Sequence, residues 1–144
     1  MSHAREMLDA SPGPEDLGVV EIAAAIDACA DCAQTCTSCA DACLAEDDVA
    51  AMRDCIRLDL DCADICGATQ RVLSRHARFD AALISRLLLA CVHACAGCAK
   101  ECARHADHHD HCRICAEVCR SCERACRALL DEEALKELQA LAGG

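Results

Sequence analysis

Seventeen cysteines in a chain of 144 residues are the side chains whose type and spacing could do chemistry. Most recur in long runs that step alternately by three and four residues. The series are Cys29, Cys32, Cys36, Cys39 and Cys43; Cys55, Cys62 and Cys66; Cys91, Cys95, Cys98 and Cys102; and Cys112, Cys115, Cys119, Cys122 and Cys126. Thiolates are soft ligands that select Cu(I), Zn(II) or iron–sulfur clusters, and cysteines also carry redox chemistry. The pattern therefore predicts an extended metal-binding or thiol-redox site.

Several familiar cysteine sites do not fit this spacing. Zinc ribbons and knuckles place C-x-x-C on turns, in sets of four ligands. A bacterial ferredoxin run ends in Cys-Pro and needs a loop around its cluster, and a thioredoxin-like C-x-x-C needs a βαβ context. The start of the chain shows no signal peptide. We therefore expect a cytoplasmic protein, in which many cysteines indicate metal or redox chemistry rather than disulfides.

Steps of three and four residues place side chains on one stripe of an α-helix, so each series predicts a helix with its cysteines on one face. Chain breaks fall near residues 46–48, 78–80 and 107–110 and at Asp131, and each offers an Asp as helix N-cap. The predicted helices are 17–45, 48–77, 80–106, 109–129 and a short one at about 132–141.

Short connections make neighbouring helices antiparallel. The fold class predicted is all-α, an up-down-up-down four-helix bundle over residues 17–130. A polar leader (1–16) precedes the bundle and a short C-terminal helix (131–144) follows it.

In such a bundle the four cysteine stripes extend to the same distance from one end. Cys29, Cys66, Cys91 and Cys126 each lie about 16–18 residues, or roughly 25 Å, from the end that holds the first and third bundle turns. Beyond that level the stripes become apolar. This predicted plug comprises Ile22, Ile26, Leu73, Leu83, Ile84, Leu87, Leu88, Leu129 and Leu130. The sequence thus predicts a thiol-lined shaft closed at one end by hydrocarbon.

The composition of the chain limits the kinds of molecule that it is expected to bind. The net charge of −11 disfavours nucleic acid, whose phosphates would be repelled. No apolar run is expected to approach the ~18 residues that span a membrane. One Phe and no Trp or Tyr leave the core short of aromatic volume, so the cysteines must fill it.

Charge balance favours Cu(I) as the metal. A thiol that exchanges H⁺ for Cu⁺ leaves the charge of the core unchanged, and Cu(I) accepts two or three thiolates that can bridge. Zn(II) prefers four ligands, and filling the shaft with it would leave excess thiolate charge in a low dielectric. A general Zn(II) or Cd(II) buffer and a thiol-based redox enzyme remain the alternatives.

The repeated C-x-x-C-x-x-x-C-x-x-C-x-x-x-C runs on helices over residues 17–129 resemble the bacterial copper storage protein family, specifically its cytosolic branch. The resemblance implies a homotetramer of four-helix bundles, many Cu(I) ions per protomer and loading through one end. It also implies storage or detoxification rather than catalysis. A copper chaperone is a candidate donor.

Candidate ligands beyond cysteine cluster at the open end of the shaft. His105, His108 and His111 lie on or near the stripes of the third and fourth helices, and Met52 precedes Cys55 by three residues. Imidazole and thioether are suitable Cu(I) ligands, so we predict that these residues receive the metal. The alternative is a solvated turn against which Met52 merely packs.

Three further histidines are weaker candidates. His109 belongs to the same turn but is a doubtful ligand, and His93 points away from its stripe. His76 lies at a helix C-terminus, where an interaction with the helix dipole is expected.

Asp59 occupies the core stripe between Cys55 and Cys62. A buried lone carboxylate is unfavourable unless it has a use. We predict that it accepts thiol hydrogen bonds, takes up protons or ligates copper. Alternatively, the stripe rotates and brings Asp59 to the surface.

Overall fold

The computed structural model describes residues 2–13 and 18–142, and these contain helices and no strand. The helices are α1 (Ala4–Asp9), α2 (Val19–Leu44), α3 (Arg53–Ser74), α4 (Ala81–His105), α5 (Asp110–Arg127) and α6 (Glu132–Ala142), with a 3₁₀ turn at Val49–Met52. The predicted all-α class is confirmed. The predicted helix starting at residue 48 opens instead with the 3₁₀ turn, and the predicted start at residue 17 lies outside the described residues.

Helices α2 to α5 form a four-helix bundle. α2 packs against α3 and α5, and α4 packs against the same two helices. Neighbours run in opposite directions, because Cys66 Sγ lies 3.7 Å from Cys91 Sγ while Cys55 Sγ lies 3.5 Å from Cys102 Sγ. The predicted up-down-up-down arrangement is therefore confirmed.

Two of the predicted N-caps form. The side chains of Asp80 and Asp131 each accept a hydrogen bond from the backbone N–H three residues ahead, at 3.0 and 2.8 Å, which satisfies a donor at the start of α4 and of α6. Asp48 makes no such bond, and its carboxylate contacts His109 instead. At the start of α5 the N-cap position belongs to His109, and Asp110 lies inside the first turn. The N-cap predictions for these two breaks are wrong.

The apolar plug forms at the end of the bundle that holds the α3–α4 turn. Ile22, Ile26, Leu73, Ile84 and Leu88 are buried, as predicted. Leu83 is 53% exposed, so its assignment to the plug is wrong. Leu87, Leu129 and Leu130 are partly buried. Burial of aliphatic side chains here gives the fold a hydrophobic core that does not depend on metal.

The leader contains a helix that the sequence analysis did not predict. α1 packs against α2, with Leu8 buried beneath it, and Ser2 donates a hydrogen bond to Asp27 of α2. A Cβ atom added to Gly13 would come within 2.5 Å of the His76 carbonyl oxygen. The leader therefore needs glycine at this position to lie so close to the α3–α4 turn.

α4 is long and apolar enough, by length and composition, to cross a membrane. The expectation that no stretch of the chain reaches this threshold is therefore wrong. In the bundle, however, the cysteines of α4 are buried against α3 and α5. Core helices of water-soluble proteins pass the same test.

Candidate metal centre

The four cysteine stripes meet along the axis of the bundle and form one thiol shaft, defined as the 17 cysteines together with Asp59. Each cysteine is at most 1% exposed, and all are free thiols. Sulfur atoms of neighbouring cysteines lie 3.5–4.0 Å apart along the shaft. These contacts join the cysteines into a column of sulfur rather than isolated pairs, with Cys39, Cys43 and Cys112 as a group of their own at the open end.

The deepest layer shows the local geometry. Cys29 Sγ lies 3.6 Å from Cys126 Sγ, 3.7 Å from Cys122 Sγ and 3.9 Å from Cys91 Sγ. These four sulfur atoms, contributed by α2, α4 and α5, lie within 4.8 Å of one another. Cys66 of α3 joins them at 3.7 Å from Cys91 and 3.9 Å from Cys122.

Similar four-ligand sets continue toward the open end, and neighbouring sets among the four deepest share members. Cys122 belongs to both of the two deepest sets, and Cys36 and Cys119 belong to both of the next two. Beyond the deepest set these include Cys32, Cys66, Cys95 and Cys122; Cys32, Cys36, Cys62 and Cys119; Cys36, Cys98, Cys115 and Cys119; and Cys39, Cys43, Cys112 and His111. A thiolate shared by two sets can bridge two metal ions, which favours clusters over separate mononuclear sites.

Two thiols near the open end, Cys43 and Cys112, keep their protons in the absence of metal. Burial raises the pKa of Cys43 to about 12 and raises that of Cys112 above its ordinary range, because a low dielectric disfavours the thiolate. A metal ion that enters must displace these protons. Exchange of one H⁺ for one Cu⁺ leaves the charge of the shaft unchanged.

Asp59 is fully buried, which excludes the alternative in which it reaches the surface. Its Oδ1 atom accepts hydrogen bonds from the thiols of Cys98 at 3.1 Å, Cys115 at 3.3 Å and Cys102 at 3.4 Å. Cys55 Sγ lies 3.9 Å from Oδ2. Burial first, and then the proximity of Cys115, raise the pKa of Asp59 to about 8. The carboxyl group is therefore largely protonated at neutral pH in the empty shaft.

His111 connects the shaft to its open end, hereafter the mouth, which is formed by the α2–α3 and α4–α5 loops. Its Nδ1 atom lies 3.5 Å from both Cys39 Sγ and Cys112 Sγ, and its Nε2 atom lies 3.0 Å from Glu46 Oε1. The side chain is 25% exposed, whereas both cysteines are sealed from solvent. One nitrogen of the ring thus faces the thiols while the other faces the rim of the mouth.

His109 links the two loops of the mouth. Its Nδ1 atom lies 3.4 Å from Glu46 Oε1 and its Nε2 atom lies 3.2 Å from Asp48 Oδ2. The hydrogen bond to Asp48 raises the pKa of His109, and the same bond lowers the pKa of Asp48. Both ring nitrogens are therefore engaged by carboxylates, which leaves neither of them facing the thiols.

The other predicted mouth ligands have different surroundings. His105 Nε2 lies 3.2 Å from Glu101 Oε1 on its own helix, and His108 is exposed on the turn. Met52 is fully buried at the end of the 3₁₀ turn. His93 is exposed, as predicted. His76 is buried beyond the end of α3 with its ring edge against Phe79, and no hydrogen bond to either ring nitrogen is found among the described residues.

Residues 19–131 match the family described as copper storage protein. The chain belongs to this family. The structure is similar to that of Ccsp from Streptomyces lividans loaded with 10 copper equivalents, at a TM-score of 0.85 and 50% identity over 88% of this chain and 96% of that one. A second structure of Ccsp, described as a cytosolic copper storage protein with five coppers, gives a TM-score of 0.75 at 57% identity over 76% and 91% of the two chains.

Two relatives at lower identity agree with this assignment. The Cu(I)-bound copper storage protein BsCsp3 superposes with a TM-score of 0.65 at 36% identity, covering 74% of this chain and 94% of that one. The cysteine-rich protein YhjQ of Bacillus subtilis (strain 168) is 36% identical over 106 residues, which span 74% of this chain and 93% of YhjQ. As a member of the copper storage protein family, the chain is a copper-binding storage protein that holds several ions.

Glu46 is a site residue that the sequence analysis missed, and Asp48 is a loop contact beside it that was also missed. The acidic stretch at residues 46–48 was interpreted only as a helix break with an N-cap. A signal was nevertheless present, because an antiparallel bundle places this loop at the same end as the histidine-rich α4–α5 loop. Carboxylates beside histidines at one bundle end indicate ring-orienting contacts.

Proposed function

We propose that the protein stores Cu(I) as thiolate-bridged clusters along the shaft, at about one copper per cysteine, and acts as a sink rather than as an enzyme. The observation that carries this proposal is the overlap of the four-ligand sets, in which Cys32, Cys36, Cys119 and Cys122 each belong to at least two. Shared thiolates allow a ratio of metal to sulfur near one, which separate four-thiolate sites cannot reach.

Zn(II) is a weaker candidate for the stored metal because of charge. A site with four thiolates and one Zn(II) carries two net negative charges. Nothing buried along the shaft supplies compensating positive charge, since the buried polar side chains among the described residues are Asp59, Thr69 and His76. Uncompensated charge in a low dielectric is strongly unfavourable. Exchange of Cu⁺ for H⁺ avoids it at every step.

Copper enters this store at the mouth through His111. All 17 thiols are sealed from solvent, whereas His111 is partly exposed and its Nδ1 atom lies within 3.5 Å of two of them. The next polar group inside the shaft is Asp59, whose carboxyl group contacts four thiols. In this route copper passes from His111 to Cys39 and Cys112, and Asp59 accepts thiol hydrogen bonds or ligates copper as the clusters grow.

An anaerobic titration tests the storage ratio. Reduced protein is titrated with Cu(I) in competition with a tight Cu(I) chelator, and a parallel titration uses Zn(II). We expect saturation near one copper per cysteine and no comparable uptake of zinc. Saturation at two to four ions of either metal would contradict the proposal.

The loading route is tested by a pair of variants. His111→Ala is expected to slow Cu(I) uptake in stopped-flow measurements, when rates are normalised to the final copper content. His93→Ala is the matched control, because His93 lies on an exposed face of α4. Equal uptake rates for the two variants would rule out His111 as the route.

Compartment and assembly are separate parts of the proposal. The relative Ccsp is described as cytosolic, and we propose the same compartment for this chain, with a copper chaperone as donor. Cell fractionation tests the compartment. The homotetramer suggested by the family resemblance is tested by light scattering coupled to size-exclusion chromatography.

A further inference from the structure

Glu46 lies between two histidine rings at the mouth. Its Oε1 atom is 3.0 Å from His111 Nε2 and 3.4 Å from His109 Nδ1. Glu46 comes from the α2–α3 loop, whereas both histidines flank the start of α5. The two rings are stacked with their centroids 5.3 Å apart. A single carboxylate thus fixes two rings that reach it from another part of the chain.

The contact with Glu46 determines which nitrogen of His111 carries the proton. A carboxylate only accepts hydrogen bonds, so Nε2 must donate and carry the hydrogen. In the neutral ring Nδ1 then holds the lone pair, and this atom lies 3.5 Å from Cys39 Sγ and Cys112 Sγ. The hydrogen bond made by one ring nitrogen selects the role of the other.

We propose that Glu46 is a positioning residue that holds His111 in the tautomer whose free Nδ1 faces the thiols, so that His111 is ready to bind copper. This inference rests on the proposed loading route through His111. Metal-binding histidines generally donate their second N–H to a carboxylate or carbonyl, and loss of that partner weakens metal affinity or activity about 10- to 100-fold.

His109 contacts the same Glu46 oxygen as His111. Its two nitrogens contact Glu46 and Asp48, and its ring stacks on His111. Asp48 therefore helps to join the loops without contacting His111. Glu46 contacts His111 and Asp48 does not, so a comparison of the two distinguishes positioning of His111 from a general role in joining the loops. Asp48→Asn is therefore the matched control for Glu46→Gln.

The first test measures the tautomer directly in the reduced, metal-free protein. Long-range ¹H–¹⁵N correlation spectra of the histidine rings distinguish Nε2–H from Nδ1–H. We expect His111 to carry its proton on Nε2 in the wild type and in Asp48→Asn, and to become a mixture of tautomers in Glu46→Gln. A proton on Nδ1 in the wild type would overturn the proposal, and so would an unchanged spectrum in Glu46→Gln.

The second test is a double-mutant cycle on the rate of Cu(I) uptake, normalised to the final copper content. Glu46→Gln is expected to slow uptake about 10- to 100-fold, and Asp48→Asn less than about twofold. If Glu46 acts through His111, the double variant Glu46→Gln/His111→Ala will be no slower than His111→Ala alone. Circular dichroism and thermal melts of each variant confirm that the bundle is folded.

The two proposals fail in different ways. If His111→Ala loads as fast as the wild type, the loading route through His111 is wrong. If His111→Ala is slow but Glu46→Gln loads normally, the route holds and the positioning role of Glu46 is wrong. Equal slowing by Glu46→Gln and Asp48→Asn would mean that both carboxylates serve only to join the loops, which also overturns the positioning role.

Discussion

Replacement of Asp59 by Asn should change how the stability of the copper-free protein depends on pH. Asn keeps the shape and an acceptor oxygen for the surrounding thiols but has no proton to lose. In the folded protein burial raises the pKa of Asp59 to about 8, from an ordinary value of 3.8. The unfolded chain exposes this carboxyl group to water, where it ionises near its ordinary pKa.

The direction of the change in stability follows from the number of protons bound by the folded and the unfolded states. Between about pH 4 and pH 8 the folded state keeps a proton on Asp59 that the unfolded state has lost. Stability falls as pH rises wherever the folded state binds more protons. The contribution of Asp59 is therefore fully present below about pH 4 and is lost as pH rises through about 8. A shift from 3.8 to about 8 corresponds to about 6 kcal/mol, at a slope of about 1.4 kcal/mol per pH unit between the two pKa values.

The assay is urea unfolding of reduced, metal-free protein from pH 4 to pH 9. The quantity of interest is the free energy of unfolding of Asp59→Asn minus that of the wild type, because ionisation of the thiols largely cancels in this difference. This difference should rise by several kcal/mol between about pH 4 and pH 8 and then level off. Asp61→Asn, on an exposed face of the same helix, is the control and should show a flat difference. A flat difference for Asp59→Asn as well would refute the assignment of a protonated, buried carboxyl group.

Three further predictions concern the shaft and its plug. Because burial raises the pKa of Cys43 and Cys112, Cu(I) binding near neutral pH should release about one proton per copper, measured with an indicator dye in weak buffer; negligible release would mean that the thiolates form before copper arrives. Asp59→Cys extends the column of sulfur and should raise the Cu(I) capacity by about one ion in the chelator titration, whereas an unchanged or lower capacity would contradict a continuous column. Leu88→Ala, in the plug, should lower the free energy of unfolding of the copper-free protein by about 2–5 kcal/mol and leave the copper capacity intact; exposed Leu83→Ala is the control, and equal effects would contradict the plug.

The bundle and the shaft could be predicted from the sequence because their signals are local. Cysteines three and four residues apart must share a helix face, and short loops force neighbouring helices to be antiparallel. The depth of Cys29 and Cys126 then follows from the helical rise, and their sulfur atoms do lie 3.6 Å apart. The burial of Asp59 could also be predicted, because this residue lies on the same helix face as Cys55 and Cys62.

The mouth could not be predicted in the same detail because its contacts are not local. Glu46 and His111 are 65 residues apart, and their pairing depends on how two loops face each other across the bundle end. Local spacing identified His111 as a candidate but could not separate it from His105, which pairs with Glu101 on its own helix. The docking of α1 was missed because Leu8 is the one side chain of this short helix that is buried.

The empty shaft is already close to the geometry that metal binding requires. Three thiolates around one metal, at the ~2.3 Å metal–sulfur bond length of zinc thiolates, would have sulfur atoms about 4 Å apart. Neighbouring sulfur atoms of this protein already lie 3.5–4.0 Å apart. We therefore expect copper to replace protons with little movement of the helices. The aliphatic plug stabilises the bundle independently of the metal content, so that one fold serves both the empty and the loaded store.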